Sequence, residues 1–249
     1  MATESRPLEL NHWMDAMKSL RKSNKTLPRQ RAVVLLSGGL DSTTCLALAA
    51  LKGYELYALT LRYGQLHQAE LKAAKRIARH YGVKRHVVLH IDLAAFGGSA
   101  LTDRKIKIPK GRSMRSMSHG IPATYVPARN TVFLSLALAW AEALRAGHIF
   151  IGVNFLDYSG YPDCRPAFIR QFERLAKLAT KGGVEKSWGL RIHTPLLRMG
   201  KAEIVRLGRR LKAPLEWTLS CYDPKPNGIP CGQCDSCQLR DKGFREAGG

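Results

Sequence analysis

The chain has no apolar run of about 18 residues, which is the length that a membrane-spanning helix requires. Its first residues, Met1 to Pro7, are charged and lack the apolar stretch of a secretory signal. Internal repeats and low-complexity blocks are missing as well. We therefore expect a cytoplasmic protein without a membrane segment, built as one large domain or as a domain with an appendage.

Acidic residues are scarce, with 19 Asp and Glu against 40 Lys and Arg, and the formal net charge is +21. Such an excess could indicate a polyanionic partner, such as tRNA or DNA. The alternative is a solvated basic surface around a nucleotide-binding cleft. The basic residues are dispersed and no nucleic-acid-binding motif is present, which favours the second interpretation over a nucleic-acid partner.

Cysteine is also rare outside the C-terminal end, where Cys221, Cys231, Cys234 and Cys237 follow the spacing C-x9-C-x2-C-x2-C. This spacing is typical of a metal site rather than of a disulfide framework, and it indicates a reducing compartment. Four thiolates can hold Zn²⁺ in a closed, structural site. An iron–sulfur cluster is the alternative, but the glycine-rich turns between the cysteines favour zinc.

The most informative segment is Ser37-Gly38-Gly39-Leu40-Asp41-Ser42, which separates an apolar run at 32–36 from an apolar-periodic run at 45–51. The pattern predicts a buried strand, a tight glycine turn and a helix. Unpaired N–H groups and the macrodipole at the start of that helix would attract an anion. The alternative is a glycine turn that merely joins strand to helix, and the ordered polar residues make it less favoured.

This turn lacks the lysine of the other common phosphate loop, G-x-x-x-x-G-K-[ST]. Its order S-G-G-x-D-S resembles the PP-loop of the ATP pyrophosphatases, which bind ATP so that pyrophosphate leaves and a substrate oxygen becomes adenylated. The resemblance implies that Ser37, Asp41 and Ser42 are the catalytic residues of the turn. Asp41 would either cap the helix or help to hold Mg²⁺.

Strand and helix patterns alternate after residue 31, which predicts an α/β fold with a doubly wound parallel sheet, Rossmann-like in arrangement. Ligands of such sheets bind at the carboxyl ends of the strands, where the glycine turn lies. We expect strands at 32–36, 54–61, 84–91, 148–153 and 190–193, and helices at 41–52, 65–81, 131–144, 167–180 and 201–211. The predicted parts are an extension with an amphipathic helical pattern (1–30), the PP-loop ATP-binding domain (31–215) and the zinc-binding segment (216–249).

Residues 92–122 interrupt this alternation with glycines, prolines and a basic cluster at 104–115. A long loop in a compact domain is usually a lid or disordered. A lid could close over a triphosphate or a substrate, and the alternative is a mobile, solvated loop. The residues leave both interpretations open.

An arginine precedes the helix expected at 131–144, for which Asn130 is the predicted N-cap. Arg129 would then lie at a helix N-terminus, where an anion is favoured, and we assign it to the phosphates of ATP. The alternative is a surface arginine paired with an acid. The predicted ATP-binding residues are Leu36, Ser37, Gly38, Gly39, Leu40, Asp41, Ser42, Thr43, Thr44 and Arg129.

A polar loop, 157–166, follows the strand expected at 148–153 and suits a flat heterocycle. Tyr161 offers an aromatic face, and Asp163 could accept from an exocyclic amine and a ring N–H. Arg165 could pair with a carboxylate through two parallel N–H donors. We interpret Cys164 as a small buried apolar residue rather than as a nucleophile.

Five segments together resemble the 7-cyano-7-deazaguanine synthase family over roughly residues 31–245: 37–42, 63–65, 125–130, 159–166, and Cys221 with 231–240. The resemblance implies an ATP-dependent ligase of queuosine biosynthesis. It would convert 7-carboxy-7-deazaguanine and ammonia to the nitrile through adenylated intermediates, releasing AMP and pyrophosphate. It also implies Mg²⁺ with the ATP, structural Zn²⁺ and a homodimer. The alternative is a repurposed PP-loop enzyme that stops at the amide, or that adenylates a tRNA or another macromolecular acceptor.

Overall fold

The computed structural model describes residues 29–66, 69–117, 120–154 and 161–248. The helix predicted within residues 1–30 lies outside these ranges, which include only Arg29 and Gln30 of that extension. Within the described residues, no helix is both long and apolar enough to cross a membrane.

A parallel sheet forms the centre of the fold. Its order is β3-β2-β1-β4-β5, and every neighbouring pair is parallel. The order reverses between β1 and β4, so a crevice opens at the carboxyl end of β1. The doubly wound sheet is thereby confirmed. The strands are β1 (Arg31–Leu35), β2 (Glu55–Arg62), β3 (Arg85–His90), β4 (His148–Phe150) and β5 (Arg191–His193).

The helices cover both faces of the sheet. They are α1 (Leu40–Leu51), α2 (Ala69–His80), α3 (Met114–Met117), α4 (Arg129–Leu144), α5 (Pro166–Ala179), α6 (Lys181–Val184), α7 (Lys201–Arg210) and α8 (Asp235–Glu246).

The apolar run of β1 is buried on both faces, which is typical of a central parallel strand. Ala32 and Val34 pack in one cluster with α1 and α2, whereas Val33 and Leu35 pack in the other with α4 and α5. Burial of a Val or Leu side chain contributes about 1.5–3 kcal/mol, so this alternation fixes the strand between the two helical layers.

Two helix starts differ from the sequence-based expectation by more than one residue. Helix α2 begins at Ala69 rather than at residue 65, because the side chain of Gln65 accepts from the N–H of Tyr63 (2.7 Å) in a turn that follows β2. Helix α4 begins at Arg129, and Ala128 with φ 52° is its N-cap. The prediction that Asn130 caps this helix is therefore wrong.

Helix α8 belongs to the C-terminal segment predicted at 216–249, called the cysteine segment from here on. This helix was not expected from the sequence because its residues are mostly polar. It packs against α7 at Gly243, where a Cβ atom would lie only 2.6 Å from the Cβ of Lys201. A larger residue at this position would push the two helices apart. The C-terminal segment is thus fitted closely to the end of α7.

Candidate active site

A cavity opens where β1, β2 and β4 end, at the point where the strand order reverses. Its wall contains the glycine turn, the first turns of α1, α2 and α4, and part of the cysteine segment. Its charged and polar lining residues include Ser37, Asp41, Ser42, Arg62, Tyr63, Gln65, Glu70, Arg129, Asn154, Tyr161, Lys201, Ser220, Tyr222, Ser236 and Arg240.

The glycine turn is held by its own serines. The N–H of Ser37 donates to Ser42 Oγ (3.2 Å), and the N–H of Gly39 donates to Ser37 Oγ (3.2 Å). Ser42 Oγ also donates to the carbonyl of Gly39 (3.1 Å). These bonds fix the backbone before any ligand arrives, as a preorganised anion site requires.

Gly38 is required for two reasons. Its φ is +90°, and a Cβ atom would collide with the carbonyl of Glu70 and lie 2.7 Å from the nitrogen of Ala74. The turn therefore rests directly on the backbone of α2.

The cysteine segment braces the same turn. The N–H of Leu219 donates to the carbonyl of Gly38 (3.1 Å), and Ser220 Oγ accepts from the N–H of Leu40 (3.3 Å). The thiol of Cys237 in turn contacts the carbonyl of Ser220 (Sγ to O 3.8 Å). This segment also contributes to the cavity lining, through Ser220, Tyr222, Ser236 and Arg240.

Asp41 and Lys201 form an ion pair at the cavity wall, with Lys201 Nζ 2.7 and 3.0 Å from the two carboxylate oxygens of Asp41. Asp41 does not cap α1, whose N-cap is Gly39 without a side-chain bond. Sequence reasoning missed Lys201. A signal was present, because a lysine at the first position of a helix is opposed by the macrodipole and therefore suggests an anionic partner.

Arg129 lines the cavity, as its assignment to phosphate requires. Its guanidinium carbon lies 5.8 Å from the ring centroid of Tyr63 and 5.7 Å from that of Phe133. The Nε and Nη2 atoms of the guanidinium each donate to Asn130 Oδ1 (3.4 Å), so an anion in the cavity would share this group with Asn130.

The three predicted substrate-binding residues are placed differently from one another. Tyr161 is buried in the cavity wall, with its hydroxyl 3.1 Å from Thr124 Oγ1. The Asp163 carboxylate is buried but is not among the described residues that line the cavity. It accepts a hydrogen bond from the backbone N–H of Asn130 (2.8 Å). Arg165 is exposed at the N-cap of α5. Residues 155–160 of the same loop are outside the described ranges, so the loop's role stays a prediction.

Cys164 lies buried beside Asn130, whose Nδ2 is 3.2 Å from its sulfur. Burial raises the pKa of the Cys164 thiol to about 12, helped by the charge of Asp163. The thiol therefore stays protonated near neutral pH, which agrees with the interpretation of Cys164 as a buried apolar residue.

The four C-terminal cysteines converge, and their sulfur atoms all lie within 4.8 Å of one another. A tetrahedral site with Zn–S bonds of about 2.3 Å needs sulfurs about 3.8 Å apart, so the cluster fits a metal with small adjustments. Backbone N–H groups point at the sulfurs, from Tyr222 to Cys234 (3.4 Å) and from Cys231 to Cys221 (3.2 Å). The donor set therefore suits a thiolate-bound metal.

The basic cluster at 104–115 is anchored on this segment. Lys110 Nζ lies 2.7 Å from Asp223, and Arg112 lies 3.5 Å from Asp235. The backbone of Lys110 also pairs with Cys234. The middle of the loop is therefore attached to the cysteine segment, which argues against a wholly free, solvated loop.

The parallel sheet and the glycine turn at its switch point define a PP-loop α/β protein. The solved NMN synthetase from Francisella tularensis has a similar fold, with a TM-score of 0.50 at 16% identity over 98% of this chain and 87% of that chain. At this identity, the likeness concerns the fold alone.

The family follows from closer relatives. The 7-cyano-7-deazaguanine synthase of Anaeromyxobacter sp. (strain Fw109-5) is 62% identical over 221 residues, which cover 89% of this chain and 94% of that protein. The synthase of Desulfatibacillum aliphaticivorans is 57% identical over 222 residues, with 89% and 95% covered. Residues 31–248 match the family described as Queuosine biosynthesis protein QueC. The chain belongs to this family, and the resemblance drawn from its motifs is confirmed.

Proposed function

We propose that the protein is an ATP-dependent 7-cyano-7-deazaguanine synthase, which forms the nitrile from 7-carboxy-7-deazaguanine and ammonia. The glycine turn at 37–42, called the phosphate turn from here on, lines one cavity with Arg129 and Tyr161. This arrangement, in a chain of this family, is the observation that carries the proposal. An anion site beside an aromatic wall suits a triphosphate next to a flat heterocycle.

The proposed chemistry explains why ATP is needed. A carboxylate is a poor electrophile because its oxygen is a poor leaving group. Attack of that oxygen on the α-phosphorus gives an acyl-adenylate and pyrophosphate, and ammonia then displaces AMP to give the amide. A second adenylation, of the amide oxygen, lets that oxygen leave as AMP and the nitrile form. On this basis the protein is a carbon–nitrogen ligase that releases AMP and pyrophosphate.

The protein's contribution would be positioning and charge neutralisation. Ser37, Ser42 and the backbone of the glycine turn hold the pyrophosphate end, and Arg129 neutralises charge on the phosphates. Lys201 also lines the cavity, and its ion pair with Asp41 orients its positive charge beside the turn. Mg²⁺ bound with the triphosphate would supply further screening of the phosphate oxygens.

Of the three predicted substrate-binding residues, Tyr161 is the one that lines the cavity, where its ring can pack against the deazaguanine. In the described structure the Asp163 carboxylate accepts from the N–H of Asn130, the second residue of α4, and it can thereby fix Arg129 beside the cavity. We retain direct contacts of Asp163 and Arg165 with substrate as proposals.

We further propose that the four cysteines hold a structural Zn²⁺, that the protein forms a homodimer and that it is cytoplasmic. The closed set of four thiolates leaves no open position for a substrate, which supports a structural metal. The alternative activity on a tRNA or another macromolecule is not favoured.

The test is mass spectrometry of purified protein incubated with MgATP, ammonium and 7-carboxy-7-deazaguanine. We expect the nitrile, together with AMP and pyrophosphate. An amide as the final product, or no product from a folded, metal-loaded protein, would refute the proposal. Salt-sensitive binding of tRNA in the low micromolar range would instead support the alternative.

A further inference from the structure

Glu70 lies in the first turn of α2 and lines the cavity, although the reaction outlined above gives it no role. Its position is fixed by the phosphate turn, because Gly38 packs against its backbone carbonyl. Among the described residues, no hydrogen bond or ion pair holds its carboxyl group. A cavity-lining carboxyl without a bonded partner among the described residues is available to a ligand.

Two groups interact electrostatically with the carboxyl group of Glu70: Arg129 at the start of α4 and Tyr63 after β2. The other charged groups on the wall are Arg62, Asp41, Lys201 and Arg240. Loss of hydration raises the pKa of Glu70 to about 8, although the positive charge of Arg129 opposes the rise. The group therefore exchanges a proton close to neutral pH, where a general base is most effective.

We infer that Glu70 is the proton acceptor for the nitrogen substrate, and that this cavity wall takes up ammonium rather than only free ammonia. The inference rests on the proposed synthase activity. The ionised fraction of Glu70, which grows as the pH approaches 8, attracts a small cation beside the phosphate turn, where the acyl-adenylate would form. The side chain then removes the proton that blocks the nitrogen lone pair.

The step balances as follows. An ammonium N–H bond breaks and its proton moves to Glu70, which gives ammonia and a neutral carboxylic acid. The nitrogen lone pair forms the C–N bond to the acyl carbon, and the C–O bond breaks with its electron pair on the departing AMP. The protonated amide then loses one proton to water, and Glu70 releases its own proton to solvent before the next turnover.

The experiment compares wild type with Glu70→Gln, which preserves shape and removes the base. Substrate-dependent ATP–pyrophosphate exchange without ammonium measures adenylation, and amide plus nitrile formation measures nitrogen transfer. We expect exchange within about twofold of wild type and nitrogen transfer lowered about 100-fold at pH 7. Glu70→Asp, which keeps a carboxylate on a shorter chain, should recover part of the rate.

The pH dependence separates a base from a structural residue. At constant total ammonium, the wild-type rate should rise to about pH 8, where Glu70 is half ionised, and then level off. The Glu70→Gln rate should continue to rise with free ammonia, so its deficit should shrink above pH 8. A deficit that is equal at every pH, or an equal loss of exchange and transfer, would overturn the inference.

Exposed Glu216→Gln is the matched control, and it should change neither rate. Thermal unfolding checks that each variant folds. A wild-type protein that forms neither the amide nor the nitrile would overturn both the proposed function and the role of Glu70. Wild-type product with an unimpaired Glu70→Gln variant would overturn the role of Glu70 alone.

Discussion

Ser220 connects the cysteine segment to the phosphate turn, so its removal tests whether that contact matters for ATP. Its Oγ accepts from the N–H of Leu40, the first residue of α1, at 3.3 Å. The N–H groups at a helix start have no partner within the helix, and an external oxygen therefore orients them. Ser220→Ala should loosen the turn while the bond from Leu219 to Gly38 remains.

The expected loss of ATP affinity in Ser220→Ala is estimated from one hydrogen bond at a helix N-terminus, which contributes about 1 kcal/mol. A change of this size corresponds to about fivefold in affinity. Because the site borders a cavity, water can replace part of the bond, and fivefold is the upper end of the range. We expect the KM for ATP to rise about three- to fivefold, with the KM for 7-carboxy-7-deazaguanine within twofold.

The assay is steady-state pyrophosphate release at varied ATP, with exposed Ser187→Ala as the matched control. Chelation of a cluster-bound metal should raise the KM for ATP in the same direction, because Ser220 directly precedes Cys221, one of the four cysteines of the cluster. An unchanged KM for ATP in Ser220→Ala, with a folded protein, would refute the view that the cysteine segment braces the phosphate turn.

Three further variants test the site and its support. Asp41→Asn should lower pyrophosphate release about 100-fold without unfolding the protein, because Lys201 loses its ion pair with Asp41, and near wild-type turnover would contradict the PP-loop assignment. Gly38→Ala should lower Tm by several degrees more than Gly53→Ala, since both have positive φ but only Gly38 is crowded, and equal losses would dismiss the collision with α2. Cys231→Ser should lose bound metal, measured by elemental analysis, and about 3 kcal/mol or more of stability. Wild-type protein that is equally stable in chelator would disprove a structural metal.

Much of the fold could be predicted because its signals are local. The apolar run at β1 and the glycines that follow it specify a strand, a turn and a helix within about 20 residues. The cysteine cluster is equally local, since Cys231, Cys234 and Cys237 lie within one short segment and their chemistry is restricted.

The prediction that Asn130 caps a helix was wrong because Asn130 forms hydrogen bonds with a residue that is distant in the sequence. Asn130 has the composition of an N-cap, yet its N–H and side chain are directed to Asp163 and its helix begins one residue earlier. The Asp163 carboxylate was assigned to substrate from its loop alone, and its hydrogen bond from the N–H of Asn130 was not predicted. A pairing between residues 33 apart leaves no periodic trace in the sequence, so only the assembled fold shows it.

The cysteine segment shows why a domain boundary drawn near residue 216 would mislead about function. Leu219 bonds the phosphate turn, Arg240 lines the cavity, and Lys110 joins the segment to the basic loop. A metal that fixes the fold of this segment would therefore also fix one wall of the active site. Loss of the metal should accordingly weaken ATP binding before it unfolds the sheet, because the contact at Leu219 and Ser220 is much smaller than the buried core.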